Sequence, residues 1–370
     1  MRLPRVKRVH QPFLLPGNRI VIGLSQFGVA SEIADDDEGS IAAIVALMDG
    51  TRTVDQICAD FTATRPDVDD DSVRDVVAGL IEGGFIEDAG APVPENLTER
   101  DLARHESARH FFSWIDTTPR TSPHEVQSRI KAARVSLLGV GGTGSAVAAG
   151  LVSSGIGALR IADFDRVEES NLTRQLLYAE PDVGEPKVDQ AVARLRAMNG
   201  AVEVTGSDTR VTGPDDVVKL MSGYDLFVLC ADEPHPEIVQ WTNEAALRTG
   251  TPWFMSLYTG PMVVVGSFVP GETGCWACLD RQEEARKEKE LGRLLPESRP
   301  NAVVAASANI SGHLCALEVL YQLGGLPAQT RGRVFHWNMA VWDHQYFIDV
   351  PRDDDCPLCG PGSPHGPGTG

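Results

Sequence analysis

The stretch from Arg134 to Lys187 limits this chain more than any other: RVSLLGVGGTGSAVAAGLVSSGIGALRIADFDRVEESNLTRQLLYAEPDVGEPK. It opens with an apolar run, Val135 to Val140, that reads as a strand. Gly139, Gly141 and Gly144 follow in G-x-G-x-x-G spacing. A small-residue helix over Ser145 to Ser154 and a second strand over Ala158 to Ala162, ending on Asp163, complete a βαβ nucleotide-binding unit. The glycines let the backbone turn tightly and let phosphate approach the helix N-terminus, whose free N–H groups favour anions. An acid after the second strand can accept hydrogen bonds from ribose hydroxyls. NAD dehydrogenases share this much.

The residues beyond Asp163 separate the two readings. Asn171, Arg174, Gln175 and Lys187 place two amides, a guanidinium and an ammonium past the ribose acid. A dinucleotide site has little use for that set. A triphosphate has, because attack at phosphorus builds charge on oxygens that must be matched. This segment resembles the ThiF/MoeB family of adenylating enzymes, relatives of ubiquitin-activating enzymes. The resemblance implies an ATP-dependent adenylyltransferase that uses magnesium. Gly139, Gly141, Gly142 and Gly144 would cradle phosphate, with Asp163 and Asp165 at the ribose side. Asn171, Arg174, Gln175 and Lys187 would balance phosphate charge, Arg174 and Lys187 acting in catalysis.

Composition narrows the class. The chain has 33 basic and 52 acidic residues, a net charge of −19. That opposes nonspecific binding to nucleic acid or to anionic membrane. No apolar run approaches a membrane span, and the N-terminus lacks the apolar core of a secretory signal. Of seven cysteines, four pair as C-x-x-C, and Cys58, Cys230 and Cys315 are scattered. A cytoplasmic location is expected.

Residues 1–90 read as a separate domain. Phe13–Leu15 and Arg19–Ile22 flank Pro16-Gly17-Asn18, a hairpin signal, with a third strand expected near Val29–Ile33. Three helices follow: one with Ile41, Ile44 and Leu47, one capped by Thr53, and one starting near Asp71-Ser72 and ending at Gly83-Gly84. Phe85-Ile86 would close the unit as a strand. The acidic runs Asp35–Glu38 and Asp67–Asp71 precede helices, which suits capping and solvation. The unit is winged-helix-like. Met48-Asp-Gly-Thr-Arg-Thr-Val-Asp-Gln-Ile57 and the run Leu80 to Ile86 resemble PqqD-like domains. That resemblance implies binding of the leader of a ribosomally made precursor peptide, added as a strand at the sheet edge and lying against the third helix. A purely structural winged helix is the alternative. An acidic third helix argues against DNA.

Residues 91–104 read as a polar linker, 105–360 as the adenylation domain and 361–370 as an unstructured tail. In the adenylation domain, Asp232 follows an apolar strand over Tyr224–Cys230. A carboxylate there faces the ligand crevice, and it matches the family's magnesium-binding aspartate. The family commonly has asparagine next; here it is Glu233. Helix capping is the competing role for Asp232. Cys275-Trp-Ala-Cys278 and Cys356-Pro-Leu-Cys359 supply four thiolates at zinc spacing, with redox dithiols as the alternative. Both pairs stand at corresponding places in ThiF/MoeB-like proteins. The fold class expected is therefore α/β: a Rossmann-like domain with a mainly parallel sheet and a four-cysteine zinc site, preceded by the small winged-helix-like domain.

Arg281–Glu290 reads as a solvated helix, and by resemblance begins the loop that crosses over the adenylate. Thiolating relatives carry a cysteine in this region, whereas Leu279–Gly312 contains none. Arg104 and Arg109 lie where dimeric relatives donate an arginine to the partner's ATP; Arg109 is favoured, and a homodimer is implied. The expected function is adenylation of a carboxylate on a precursor peptide during natural-product maturation, with ATP, Mg2+ and Zn2+, and with a partner modifying enzyme as a further candidate. Two alternatives stand beside it: a noncatalytic scaffold that delivers the peptide to that enzyme, and adenylation of a ubiquitin-like sulfur carrier.

Overall fold

The computed structural model describes residues 1–23, 30–290 and 302–365, the side chains of 286–290 excepted. The chain forms two compact units, Met1–Lys131 and Ala132–Gly370. Among the described residues, no helix is long and apolar enough to cross a membrane.

The first unit opens with β1 (Pro4–Val6), β2 (Phe13–Leu15), β3 (Arg19–Ile22) and β4 (Ser31–Ala34). Helices α1 (Ser40–Leu47), α2 (Val54–Thr64) and α3 (Asp70–Glu82) follow, then β5 (Ile86–Asp88), α4 (Glu99–Arg104), α5 (Glu106–Ile115) and α6 (Glu125–Ala132). The β2–β3 hairpin turns through Gly17 and Asn18, at φ 80° and 55°. β4 pairs with β3 slightly later than expected, and Val29 lies outside the described residues. Strand β1 was not expected; three residues are too short to show alternation, and its partner is the distant β5.

The acids before the helices act as caps. Asp35 and Asp36 accept the N–H groups of Ser40, Ile41 and Ala42 at 2.8–3.0 Å. Asp69 accepts that of Ser72 at 2.7 Å, so α3 begins a turn-fraction early. Thr53 and Gln56 form a reciprocal capping box on α2. The apolar stripes of the three helices, among them Ile44, Ile57, Phe61, Val73, Val77 and Leu80, close one core with Ile22, Phe85 and Ile86.

This unit runs past the boundary expected at residue 90. The segment 91–104, expected as linker, holds α4, which is capped by Thr98 and Asp101. The end of α5 is tied to the segment between β1 and β2. Lys7 Nζ donates to the Asp116 carbonyl at 2.5 Å, and His10 Nε2 lies 3.2 Å from the Ser113 carbonyl. Those ties are polar and long-range, so composition did not reveal them.

The second unit is a three-layered α/β fold. Its elements are β6 (Arg134–Leu138), α7 (Gly142–Ser153), β7 (Ala158–Asp163), α8 (Lys187–Met198), β8 (Glu203–Asp208) and α9 (Pro214–Met221). Then come β9 (Leu226–Leu229), α10 (Glu237–Thr249), β10 (Trp253–Thr259), β11 (Met262–Phe268), α11 (Trp276–Glu290), α12 (Ala305–Gly324), β12 (Arg333–Asn338) and β13 (Gln345–Asp349). One sheet runs in the order β13-β12-β11-β10-β9-β6-β7-β8. The five strands β10, β9, β6, β7 and β8 are parallel, and β11 to β13 extend the sheet antiparallel. The inner strands β6, β9 and β10 read as near-continuous apolar runs because both faces are covered, whereas the edge strand β8 (EVTGSD) is polar and largely exposed. Trp253 and Phe268 stack at 4.6 Å beside fully buried Phe227. Each such side chain contributes roughly 1.5–3 kcal/mol by leaving water.

The helix expected from Ser145 begins at Gly142, inside the glycine turn. The expected tail is described as far as His365, and Ser363 donates its N–H to the Gly360 carbonyl at 3.0 Å. Residues 366–370 lie outside the described set, as do 291–301, into which the expected crossover loop runs.

Candidate functional site

Parallel strands present their C-terminal ends to one crevice. In the second unit the ends of β6, β7 and β9, with the far end of β10, border a cavity of about 1240 Å³. Its wall includes Gly139, Gly141, Gly142, Asp163, Asp165, Asn171, Arg174, Gln175, Lys187 and Asp232. These residues span nearly a hundred positions, and the fold brings them to one place.

The glycine turn is shaped by close approach. Gly139 sits at φ +88°, and a Cβ there would lie 2.6 Å from the Ala231 nitrogen. A Cβ on Gly144 would lie 2.0 Å from the Gly139 oxygen. Gly144 thus lets the turn fold onto α7 and is not on the cavity wall. Val140, within the turn, is held from three directions. Its N–H donates to Asp163 Oδ2 at 2.8 Å, while Tyr178 Oη and Ser145 Oγ donate to its carbonyl at 2.9 and 3.0 Å. Gly141, Gly142 and Thr143, at the start of α7, line the cavity, and the first N–H groups of a helix have no partner within it.

Asp163 is buried, and its Oδ1 accepts the Asp165 N–H at 2.9 Å. Burial raises its carboxyl above the usual aspartate range, and the two N–H bonds and the Lys187 charge hold it back. Lys187 is buried at the first position of α8, its Nζ 2.8 Å from Asp165 Oδ2. Arg174 rests Nη1 on the Ser170 carbonyl at 3.0 Å. Guanidinium carries five donors, so an anion can still be gripped. Asn171 accepts the Glu168 N–H at 3.2 Å, holding the loop that carries Arg174. Gln175 is buried, and its Oε1 lacks a hydrogen-bond partner. An orphaned acceptor of this kind costs about 1–3 kcal/mol, which a donor on a ligand would relieve.

Asp232 is exposed on the cavity wall, and α10 begins after Pro236 with no side-chain cap. Its carboxylate is therefore not spent on helix capping. An exposed carboxylate on the wall of a cavity that has room for a nucleotide, with Glu233 beside it on the same wall, suits magnesium, which takes one or two carboxylates and leaves its other positions to phosphate and water. Sequence reasoning missed Tyr178, Ser256 and Tyr258. Ser256 and Tyr258 line the cavity from β10, and Tyr178 fixes the glycine turn; each sits in a run that reads only as apolar. Arg109 belongs to the first unit, where its Nη1 lies 3.8 Å from Glu87 Oε2. Arg5 holds the other oxygen of that carboxylate at 2.6 Å.

The cysteine pairs converge away from this cavity. Sγ–Sγ separations are 3.9 Å for Cys275–Cys278, 3.7 Å for Cys275–Cys356 and 3.4 Å for Cys278–Cys359, and all four sulfurs lie within 4.8 Å of one another. Zn–S bonds of about 2.3 Å in a tetrahedron put sulfurs about 3.8 Å apart, so the donor set fits that ion. A disulfide would need about 2.05 Å, and all four cysteines are free. As bare thiols they conflict. A hydrogen bond from Cys275 holds Cys278 down at about 4, and the same bond raises Cys275. Burial, with that neighbouring charge, pushes Cys359 up to about 12. A dication removes the conflict by stabilising every thiolate. By contrast, Cys315 is buried in the core and its thiol is raised by burial, while Cys230, raised by the same cause, is only partly buried and lines the cavity.

Comparison with known proteins agrees with this geometry. A sulfur carrier protein adenylyltransferase of Thermus thermophilus is 34% identical over 248 residues, 65% of this chain and 87% of that protein. The crystal structure of E. coli MccB with ATP superposes with a TM-score of 0.74 at 23% identity, covering 96% of this chain and 99% of that one. A structure of the Microcin C7 biosynthetic enzyme MccB in complex with N-formylated MccA gives 0.73 at 22% identity, over 96% and 99%. At these identities the two MccB likenesses are ones of fold. The family model for the ThiF family matches residues 117–358, which takes in the glycine turn, the polar loop, Asp232 and three of the four converging cysteines. The chain belongs to the ThiF family.

Proposed function

We propose that the carboxylate activated by this ATP-dependent adenylyltransferase lies on a ribosomally made precursor peptide, held through its leader by the N-terminal unit. One observation carries the reading: the reach of the fold likeness. MccB, solved with N-formylated MccA, matches 96% of the chain. The Thermus sulfur-carrier enzyme aligns with 65% of it. The first unit also has what an added peptide strand requires. Its sheet β2-β3-β4 ends in β4, which among the described residues has no partner beyond β3. The resemblance to PqqD-like domains assigns the leader to such an edge, beside α3.

The chemistry follows from the cavity wall. The start of α7 would take phosphate on its N–H groups. Asp163, with lone pairs left on both oxygens, would accept from the ribose hydroxyls. A substrate carboxylate oxygen attacks the α-phosphorus, the bond to the bridging oxygen breaks, and pyrophosphate leaves with that electron pair. Arg174 and Lys187 would meet the charge that builds on the phosphate oxygens, with Asn171 and Gln175 as neutral donors. Asp232 would hold Mg2+, which supplies charge neutralisation between the phosphates. The four-cysteine site would hold Zn2+ with no open position, and so in a structural role.

A scaffold reading is disfavoured by the buried and half-buried charges kept in the crevice, which cost stability without a ligand. The sulfur-carrier reading is disfavoured by the absence of cysteine between Leu279 and Gly312. We also propose the two-fold dimer of the family, in which Arg109 would exchange Glu87 for the partner's nucleotide. The expected result is that activity falls with dilution below the dimer dissociation constant. A monomer in sedimentation that turns over ATP at full rate would remove this part.

The test uses the full chain and the peptide encoded beside it. With that peptide the protein should exchange labelled pyrophosphate into ATP, and should bind it at micromolar Kd or tighter. Gly79 on α3 is an exposed position where an added Cβ meets nothing within 4 Å. Gly79→Glu should weaken peptide binding about tenfold and leave the Kd for MgATP within about twofold. Normal exchange by a protein that shows no peptide binding through its first unit would place recognition elsewhere.

A further inference from the structure

Arg174 is held from an unexpected direction. It ends a short 3-10 turn over Glu169–Thr173, with its own N–H bonded to the Asn171 carbonyl at 3.0 Å and its Nη1 on Ser170. Those bonds are local and leave its carbonyl to face α12. There Asn309 Nδ2 donates to the Arg174 carbonyl at 3.3 Å and to the Ala305 carbonyl at 2.6 Å. Asn309 is buried, and its Oδ1 has no hydrogen-bond partner. A side chain that leaves a buried acceptor orphaned and spans two carbonyls with its donors is fixed in one orientation, because the flipped amide would set oxygen against oxygen. An asparagine in the first turns of a small-residue helix is also a poor helix former, so packing alone does not call for it.

The surroundings leave Arg174 little room. A Cβ on Gly142 would stand 3.1 Å from Ala308 Cβ and 3.6 Å from Arg174 Cγ. The stem of Arg174 therefore lies close to the start of α7, near the neighbour of Asn309 on α12. Gln175, next in sequence, presents its amide 3.7 Å from where a Gly141 Cβ would be.

We propose that Asn309 is a positioning residue for the phosphate-binding pair Arg174 and Gln175. By clamping the Arg174 carbonyl to α12 it sets where guanidinium and amide stand relative to the N-terminus of α7. Asn309 itself is not on the cavity wall. The inference rests on the reading of this cavity as the ATP site.

The test is a double-mutant cycle on the full chain, read as the Kd for MgATP by calorimetry. Asn309→Ala should weaken MgATP about tenfold, the scale of one lost hydrogen bond that leaves a buried carbonyl unpaired. Arg174→Ala should weaken it by at least as much. In the Arg174→Ala background, the further loss from Asn309→Ala should shrink to about twofold. Should Asn309→Ala fail to fold, Asn309→Leu keeps about the same size, removes the donor without setting a charge or a lone pair against the two carbonyls, and must give the same pattern. Thermal melting of the single variants checks that the fold is intact. Wild-type affinity in a folded Asn309 variant, or a full tenfold loss added on top of Arg174→Ala, would overturn the assignment. Failure of the wild-type chain to bind MgATP would overturn both this and the reading of the cavity.

Discussion

Asp232→Ala should reduce magnesium-dependent pyrophosphate exchange by at least about a hundredfold. The carboxylate is exposed on the cavity wall and not used as a helix cap. If its work is to hold Mg2+ at the phosphates, its loss removes a main charge-stabilising group from the transition state, and such groups are worth about a hundred- to a thousandfold. The effect should fall mostly on turnover, because Arg174, Lys187 and the start of α7 would still grip the nucleotide. The melting temperature should change little, since an exposed side chain without a folding partner is removed. Exchange within threefold of wild type would take Asp232 out of the reaction.

Cys275→Ser and Cys356→Ser should each remove about one zinc per chain and most of the soluble protein. Metal binding here is folding free energy, on the order of 10 kcal/mol for a structural site, set against a total stability of roughly 5–15 kcal/mol for a domain. The four sulfurs also sit in one core cluster with Phe268, Trp253 and Val350, so the loss reaches the sheet. Metal analysis of the purified wild-type chain is the direct check. Folded, soluble protein without zinc would assign the four thiols another role.

The nucleotide unit was legible because one contiguous segment carries strand, glycine turn and phosphate chemistry together. Even there the start of α7 was misplaced. Gly142 and Gly144 count against helix by propensity, but the backbone approaches they permit put them in its first turn. The helices of the first unit were legible from their apolar spacing and from Thr53, whereas β1 was not. Its pairing with β5 joins residues about eighty positions apart, and no local pattern announces it. The linker expectation failed for a related reason. A Pro-containing polar run looks unstructured until Thr98 and Asp101 are seen to form a reciprocal capping box at the start of α4.

Asn309 marks the limit of reading by periodicity. On α12 it falls among alanines, serines and apolar residues that pack on α7, and the pattern assigns it to the core. Its partner, Arg174, lies 135 positions earlier. Only the packing of α12 against the glycine turn gives that amide a purpose.

The paired cysteines have a topological consequence. Cys275 and Cys356 stand 81 positions apart, as do Cys278 and Cys359. With zinc bound, everything between them becomes a ring: α11, the residues up to α12, α12 itself and the β12–β13 hairpin. Closing a ring of that length restricts the unfolded chain far more than the folded one. A backbone cut within 291–301 would then leave two fragments still linked through the metal. A chelator, rather than the protease, would be what removes that link.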